Sequence, residues 1–261
     1  MNLSNISNET AFGKVLRLPL KLIPRTAVLT IRNGPLKGKK WIAGSHTHGC
    51  WLGSYEQEKQ RLFAQTVTEG SVVFDIGANV GFYTLLASVL AGPKGHVYAF
   101  EPLPRNLEYL KEHLRLNQIE NVTMIEAAVA DRNGVTLFNE GANSAMGHLS
   151  ADGKLEVEVV ALDDLISQGK IQPPDFMKLD VEGGELLVLR GAKITLPASE
   201  PDIFLATHGK QVHLQCCELL RLVGYELRSV DGREESDELL AQVASENRST
   251  LEGNCGAVAT K

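Results

Sequence analysis

Val72-Val73-Phe74-Asp75-Ile76-Gly77-Ala78-Asn79-Val80-Gly81, running on into the apolar stretch from Phe82 to Leu90, decides the fold of this chain. Val72 to Phe74 are β-branched and aromatic, as suits a strand covered on both faces. Asp75 stands at its carboxyl end. Gly77 and Gly81 leave out the Cβ where a ligand has to lie against the backbone, and Asn79 is the non-glycine type that best tolerates positive φ. Strand, tight turn and helix start together make the nucleotide-binding element of open α/β sheets.

Spacing narrows the ligand. A pyrophosphate loop of the G-x-G-x-x-G type needs glycine at 77, 79 and 82, and Asn79 and Phe82 break two of those positions. The spacing D-x-G-x-N-x-G instead resembles motif I of the S-adenosylmethionine-dependent methyltransferases, with Asp75, Gly77, Asn79 and Gly81 at its positions. Gly92-Pro93-Lys94-Gly95 then punctuates a turn, and His96 to Phe100 reads as a second strand ending at Glu101. A carboxylate there is placed to accept hydrogen bonds from two ribose hydroxyls.

Length and composition fit one large α/β domain with appendages. The 261 residues are 43% hydrophobic, ample for a core, and no stretch is long enough to span a membrane. Cys50, Cys216, Cys217 and Cys255 lack metal-type spacing, so a reduced cytoplasmic chain is expected. Charge is uneven. Residues 1–40 hold eight Lys or Arg against the single acid Glu9, while the remainder has 18 basic and 31 acidic residues. The main body therefore lacks a basic field for nucleic acid. The basic, apolar segment 12–25 has the composition for weak contact with an anionic membrane surface, although Pro19 and Pro24 spoil a continuous helix and favour packing on the domain. Lys14, Arg17 and Lys21 also interrupt any secretory h-region.

Residues 1–53 read as an N-terminal extension and cap, and residues 54–261 as the cofactor-binding domain. Ala27 to Ile42 alternates around Asn33-Gly34-Pro35 as a hairpin, and a helix opens near a capping Ser54. His46 and His48 form an H-x-H pair, read as exposed or substrate-facing rather than as metal ligands. Pro104 to Leu116 predicts a helix, with Leu107, Leu110 and Leu114 on one face. Asn121 to Val129 predicts the third strand. The segment 139–154 reads as a long loop offering Asn143, Ser144 and His148 to an acceptor. Leu155 to Val160 alternates as a strand, and Asp163 and Asp164 start a short helix. Late in the chain, Gln211 to Leu222 predicts a helix, Tyr225 to Val230 a strand, and Asn254 to Thr260 a closing strand, with the acidic stretch 231–247 as a solvated connection. His213, Cys216 and Cys217 have helical spacing and read as packing residues.

A second block, Phe176 to Gly191, again ends a strand in acids before a glycine-marked helix start. Open α/β sheets bind ligands outside the carboxyl ends of their strands, so Asp180 and Glu182 should share a cleft mouth with Asp75 and Glu101. Residues alternating along an extended segment face opposite ways and no third ligand is evident nearby, so no metal is expected. The next strand, Pro201 to Thr207, leads to His208, an imidazole at the same rim.

DIGANVGFYT (75–84), AFEPLPRNLEYL (99–110), AAVADRNG (127–134) and MKLDVEGGELLVLRGA (177–192), in this order, resemble the FkbM family of O-methyltransferases over roughly residues 50–230. The resemblance implies a class I methyltransferase fold, a Rossmann-like, doubly wound and mostly parallel sheet. It implies S-adenosyl-L-methionine as cofactor, and a hydroxyl of a sugar, glycolipid, polyketide or similar natural product as acceptor. By motif position it carries over Asp75, Gly77, Asn79, Gly81 and Glu101 as cofactor residues, with Asp131 on the adenine amino group. Asp180 and Glu182 fall beside the transfer site. For the base, His208 or Asp180 is expected. Family members often have an acid two residues before this histidine, where this chain has Ala206. Two alternatives stay open, a nicotinamide-dependent oxidoreductase on a similar sheet and a non-catalytic S-adenosylmethionine-binding protein.

Overall fold

The computed structural model describes residues 20, 22–139, 148–149, 153–233 and 236–243. A hairpin of β1 (Val28–Thr30) and β2 (Lys40–Ile42) comes first, with Val28 opposite Ile42. Two helices follow, α1 (His48–Leu52) and α2 (Gln57–Thr66). The residue that starts α2 is Glu56, in the left-handed region at φ 42°, rather than Ser54, because α1 and its glycine cap occupy the chain up to residue 53. Strands and helices then alternate: β3 (Val72–Ile76), α3 (Phe82–Ala91), β4 (His96–Phe100), α4 (Pro104–Leu116) and β5 (Val122–Ile125). The short strands β6 (Ala128–Val129), β7 (Gly134–Asn139), β8 (His148–Leu149) and β9 (Leu155–Val160) come next, and α5 (Leu162–Ser167) leads to β10 (Phe176–Leu179). The last elements are α6 (Glu185–Arg190), α7 (Thr195–Ser199), β11 (Asp202–Ala206), α8 (Lys210–Leu222), β12 (Tyr225–Ser229) and β13 (Glu238–Val243).

Seven strands form the central sheet in the order β12, β13, β11, β10, β3, β4, β5. The five from β11 to β5 are parallel, and β13 runs antiparallel to both its neighbours. The architecture is the doubly wound, mostly parallel α/β sheet that the strand–loop–helix stretch predicts. Period-two alternation sorts the residues of β3: Phe74 and Ile76 pack with Leu162, Val188, Leu189 and Cys216 on one face, while Val73 packs with Phe63, Leu85 and Leu86 on the other.

Three expectations change. The run 121–129 breaks at Glu126 and Ala127 into β5 and β6, which belong to different sheets; β6 pairs with β9 in a four-stranded sheet of order β6, β9, β7, β8. Within the segment read as a loop, β8 pairs with β7, and Asn143, Ser144 and the side chain of His148 lie outside the described residues. The third change is at the end of the chain. Part of the acidic stretch taken as a connection is β13, whose Leu239, Leu240, Ala241 and Val243 are buried, and residues 254–260 lie outside the described residues.

The N-terminal hairpin is pinned to α4. The Ile42 N–H donates to His113 Nε2 (3.1 Å), so Nδ1 carries the proton and donates to the Val80 carbonyl (2.8 Å) in the glycine loop. Trp41 stacks on the same imidazole, with ring centroids 3.8 Å apart. Most of segment 12–25 lies outside the described residues. Among those described, no helix is long and apolar enough to cross a membrane.

Candidate active site

A cavity of about 330 Å³ opens at the carboxyl ends of β3, β4, β10 and β11. β3 is where the strand order reverses, since β4 and β5 lie to one side and β10 and β11 to the other. Such a switch point leaves a crevice between diverging connections.

One wall is the loop after β3. Gly77, Asn79 and Gly81 all have positive φ, at 79°, 51° and 91°. The packing gives glycine a further reason beside the expected one. A Cβ on Gly77 would stand 2.0 Å from the Asp180 carbonyl oxygen, and one on Gly81 2.3 Å from Leu110 Cδ1. Close approach of the Asp180 backbone calls for glycine at 77, and the positive φ with the Leu110 side chain close by favours it at 81. Gly77 and Asn79 line the cavity. Gly81 is set behind it, against α4.

Glu101 does face the cavity, although only 4% exposed. Its Oε2 accepts from the Asn79 N–H (2.8 Å), and its Oε1 from the Leu103 N–H (3.0 Å) and Asn106 Nδ2 (3.1 Å). Burial holds the carboxyl above its usual range, against the opposing pull of these donors and of Lys178. Three accepted bonds leave capacity for a further donor from a ligand.

Asp75 is displaced from direct contact. It is fully buried beneath the loop, where its Oδ2 accepts from Thr84 Oγ1 (2.5 Å) and its Oδ1 lies 3.4 Å from Lys178 Nζ. Lys178 also donates to the Gly77 carbonyl (2.9 Å) and so ties β10 to the loop. Burial lowers the Lys178 pKa, but the carboxylates of Asp75, Asp180 and Glu56 outweigh it and the net shift is upward. Asp131 is also off the cavity. It is exposed beside Arg132 (3.3 Å), and the wall suited to a flat ring is apolar instead, made by Leu103, Ala127, Val129 and Phe138.

Across the cavity, Asp180, Glu182 and His208 converge. His208 Nε2 lies 3.9 Å from Asp180 Oδ1 and 3.5 Å from Glu182 Oε2. The expectation that Asp180 and Glu182 face opposite ways fails because the segment is not extended: Glu182 has φ 56°, which turns its side chain back to the side of Asp180. His208, from the end of β11, is the third group that seemed missing. Its Nδ1 meets Glu185 Oε1 at 2.9 Å, and that oxygen also accepts from the Gly183 N–H (3.0 Å). The bond to Glu185, with the charges of Glu182 and Asp180, raises the His208 pKa to about 9 against the effect of burial.

The H-x-H pair is divided. His46 lines the cavity, whereas His48 Nδ1 accepts from Trp51 Nε1 (3.1 Å). Beside His46 stand Tyr55, Glu56, Lys59 and Glu238, with Lys59 held between the two carboxylates and Tyr83 donating to Glu56 (2.7 Å). In α8, Cys216 and Cys217 are core residues, and His213 bonds Thr207 Oγ1 (2.9 Å).

Sequence reading singled out neither Lys178 nor Glu185. The signal for Lys178 was a cation inside a four-residue apolar strand, matched by an acid at the same depth in β3. Glu185 gave none, because its role depends on the end of β11 folding over α6.

A family model described as the methyltransferase FkbM domain matches residues 75–227. The hexuronic acid methyltransferase AglP of Haloferax volcanii is 30% identical over 138 residues, covering 52% of this chain and 56% of its own. The 2-O-methyltransferase NoeI of Sinorhizobium fredii is 31% identical over 145 residues, covering 48% of this chain and 58% of its own. The chain thus spans somewhat more than half the length of these curated relatives. A solved structure, methyltransferase FkbM from Methylobacillus flagellatus, superposes with a TM-score of 0.50 at 22% identity, over 66% of this chain and 43% of that one, and shares its fold.

Proposed function

Since the chain belongs to the FkbM methyltransferase family, a class I fold whose cofactor is S-adenosyl-L-methionine, we propose that it moves the cofactor's methyl group to a hydroxyl of a sugar or similar polyhydroxylated natural product. One observation carries the reading: a single cavity has a buried ribose-type acceptor, Glu101, at one end and the group of Asp180, Glu182 and His208 at the other.

The residues present fit the cofactor. Glu101, held by three N–H donors, retains capacity for a ribose hydroxyl, and Gly77 and Asn79 give a backbone wall. Leu103, Val129 and Phe138 offer an apolar seat for adenine. When bound, the cofactor supplies a methyl group on positively charged sulfur. The protein's part is to hold the acceptor oxygen in line with that methyl and to receive its proton, and alignment contributes most. The Asp180 carboxylate is a proton acceptor at this rim, His208 Nε2 becomes one where its imidazole is neutral, and Glu182 is placed to hold a neighbouring hydroxyl. The relatives' names, one for a hexuronic acid and one for a 2-O position, support a sugar acceptor.

Incubation with methyl-labelled S-adenosylmethionine and a panel of uronic acid glycans, neutral sugars, glycolipids and polyketides tests this. Label on a hydroxylated acceptor, suppressed by S-adenosylhomocysteine, is expected. Tight NAD binding with no response to S-adenosylhomocysteine would overturn the reading in favour of an oxidoreductase.

A further inference from the structure

We propose that Asp180, Glu182 and His208 bind one divalent cation, Mn²⁺ or Mg²⁺, at the acceptor end of the cavity. Their ligand atoms all lie within 4.8 Å of one another. The separations from His208 Nε2, 3.5 Å to Glu182 and 3.9 Å to Asp180, exceed the roughly 2.7–3.2 Å of a direct N–H···O hydrogen bond. Two ligands about 2.1 Å from one ion stand roughly 3 Å apart when adjacent and about 4 Å apart when opposite. The gaps therefore match ligands around a shared ion better than groups bonded to one another.

Glu185 supplies an independent observation. It is fully buried, its Oε1 holds His208 Nδ1, and its Oε2 has no hydrogen-bond partner among the described residues. A carboxylate on one ring nitrogen directs the other nitrogen at the open cluster, which is how metal-ligating histidines are held. The cluster also brings two carboxylates, Asp180 and Glu182, together, and a cation between them offsets their mutual repulsion. The lysine nearest this cluster does not fill that role. Lys178 is 3.8 Å from the far oxygen of Asp180, and it is committed to Asp75 and the Gly77 carbonyl. The left-handed Glu182 is the backbone distortion that turns the second carboxylate inward, and such distortion collects at functional sites.

Two carboxylates and one imidazole suit a hard or borderline divalent ion. Three protein ligands leave positions for two adjacent oxygens of the acceptor, a role that rests on the methyl-transfer reading. Cation binding itself does not.

Mn²⁺ titration of the full-length chain, without acceptor and followed by electron paramagnetic resonance, tests the site. One saturable Mn²⁺ per chain is expected, with imidazole nitrogen coupling in pulsed spectra. Glu182→Gln and Asp180→Asn should each weaken binding about tenfold or more, and His208→Ala should abolish the nitrogen coupling. Asp231→Asn, at an acid remote from the cavity, should change nothing, and thermal scans check that each variant is folded. Absence of saturable binding, affinity that survives Asp180→Asn with Glu182→Gln, or nitrogen coupling that survives His208→Ala would each overturn the proposal. A chain that binds Mn²⁺ but transfers no methyl group would refute the methyltransferase reading alone.

Discussion

Lys178 stands opposite Asp75 in the register of β10 and β3, on the same face of the sheet, with Nζ 3.4 Å from Oδ1. Both side chains are buried. Removing one partner of such a pair leaves an uncompensated charge in the core, so Lys178→Met should cost about 3–5 kcal/mol of stability. Combining it with Asp75→Leu should recover most of that loss, and urea denaturation of the two variants gives the comparison.

Gly77→Ala places a Cβ 2.0 Å from a backbone oxygen of the neighbouring strand end, and at a positive φ. Neither contact can be relieved by rotating a side chain. The variant should lose about 2–4 kcal/mol, and cofactor affinity with it, because the ends of β3 and β10 must splay. Thermal unfolding and calorimetric titration with S-adenosylhomocysteine measure the two effects.

Glu101→Gln removes the charge and turns one carboxylate oxygen into an NH2 group, so either the Asn79 N–H, held on Oε2, or the Leu103 N–H and Asn106 Nδ2, held on Oε1, lose their acceptor. Cofactor binding should weaken about tenfold or more, near 1.4 kcal/mol, with a lowered melting temperature from the buried donor left unpaired. An unchanged affinity would remove Glu101 from the ribose seat.

His113 is buried and neutral, and burial lowers its pKa from 6.5 to about 4, against the Val80 carbonyl and Glu112. The unfolded chain takes up the proton first as pH falls. The stability associated with this group is therefore complete above about pH 6.5 and is lost between there and pH 4, by about 3 kcal/mol. Denaturation curves across that range should show the loss in the natural chain and much less of it in His113→Gln.

His208 has the opposite sign. Its pKa is raised to about 9, first by Glu185, so its contribution to stability is present below pH 6.5 and disappears as pH rises through about 9. In chelator-treated protein, imidazole NMR should show titration near 9, moving down toward the ordinary value in Glu185→Gln.

What could be read from the sequence was local. The strand, glycine loop and helix from Val72 to Ala91 announce themselves through composition and spacing within one turn of chain, and α4 begins and ends where Pro104 and Leu116 indicate. The same pattern put Asp75 at a strand end but not at its depth, which α3 sets by covering that face. β13 was hidden because its apolar run is short and follows a series of acids. The triad at the rim depended on a left-handed residue, Glu182, and on a histidine 26 residues later, just past the end of β11, and neither leaves a periodic trace.

β13 is inserted between β11 and β12, so the last described strand lies inside the sheet rather than at its border. Ile203, Phe204 and Leu205 of β11 pair with Ala241, Leu240 and Leu239. A chain cleaved between Val230 and Glu238 would keep every cavity residue but Glu238 while baring an apolar edge with unpaired backbone groups. Such an edge is a template for another copy's strand, so nicking in this short connection would turn an interior seam of the sheet into a site of self-association.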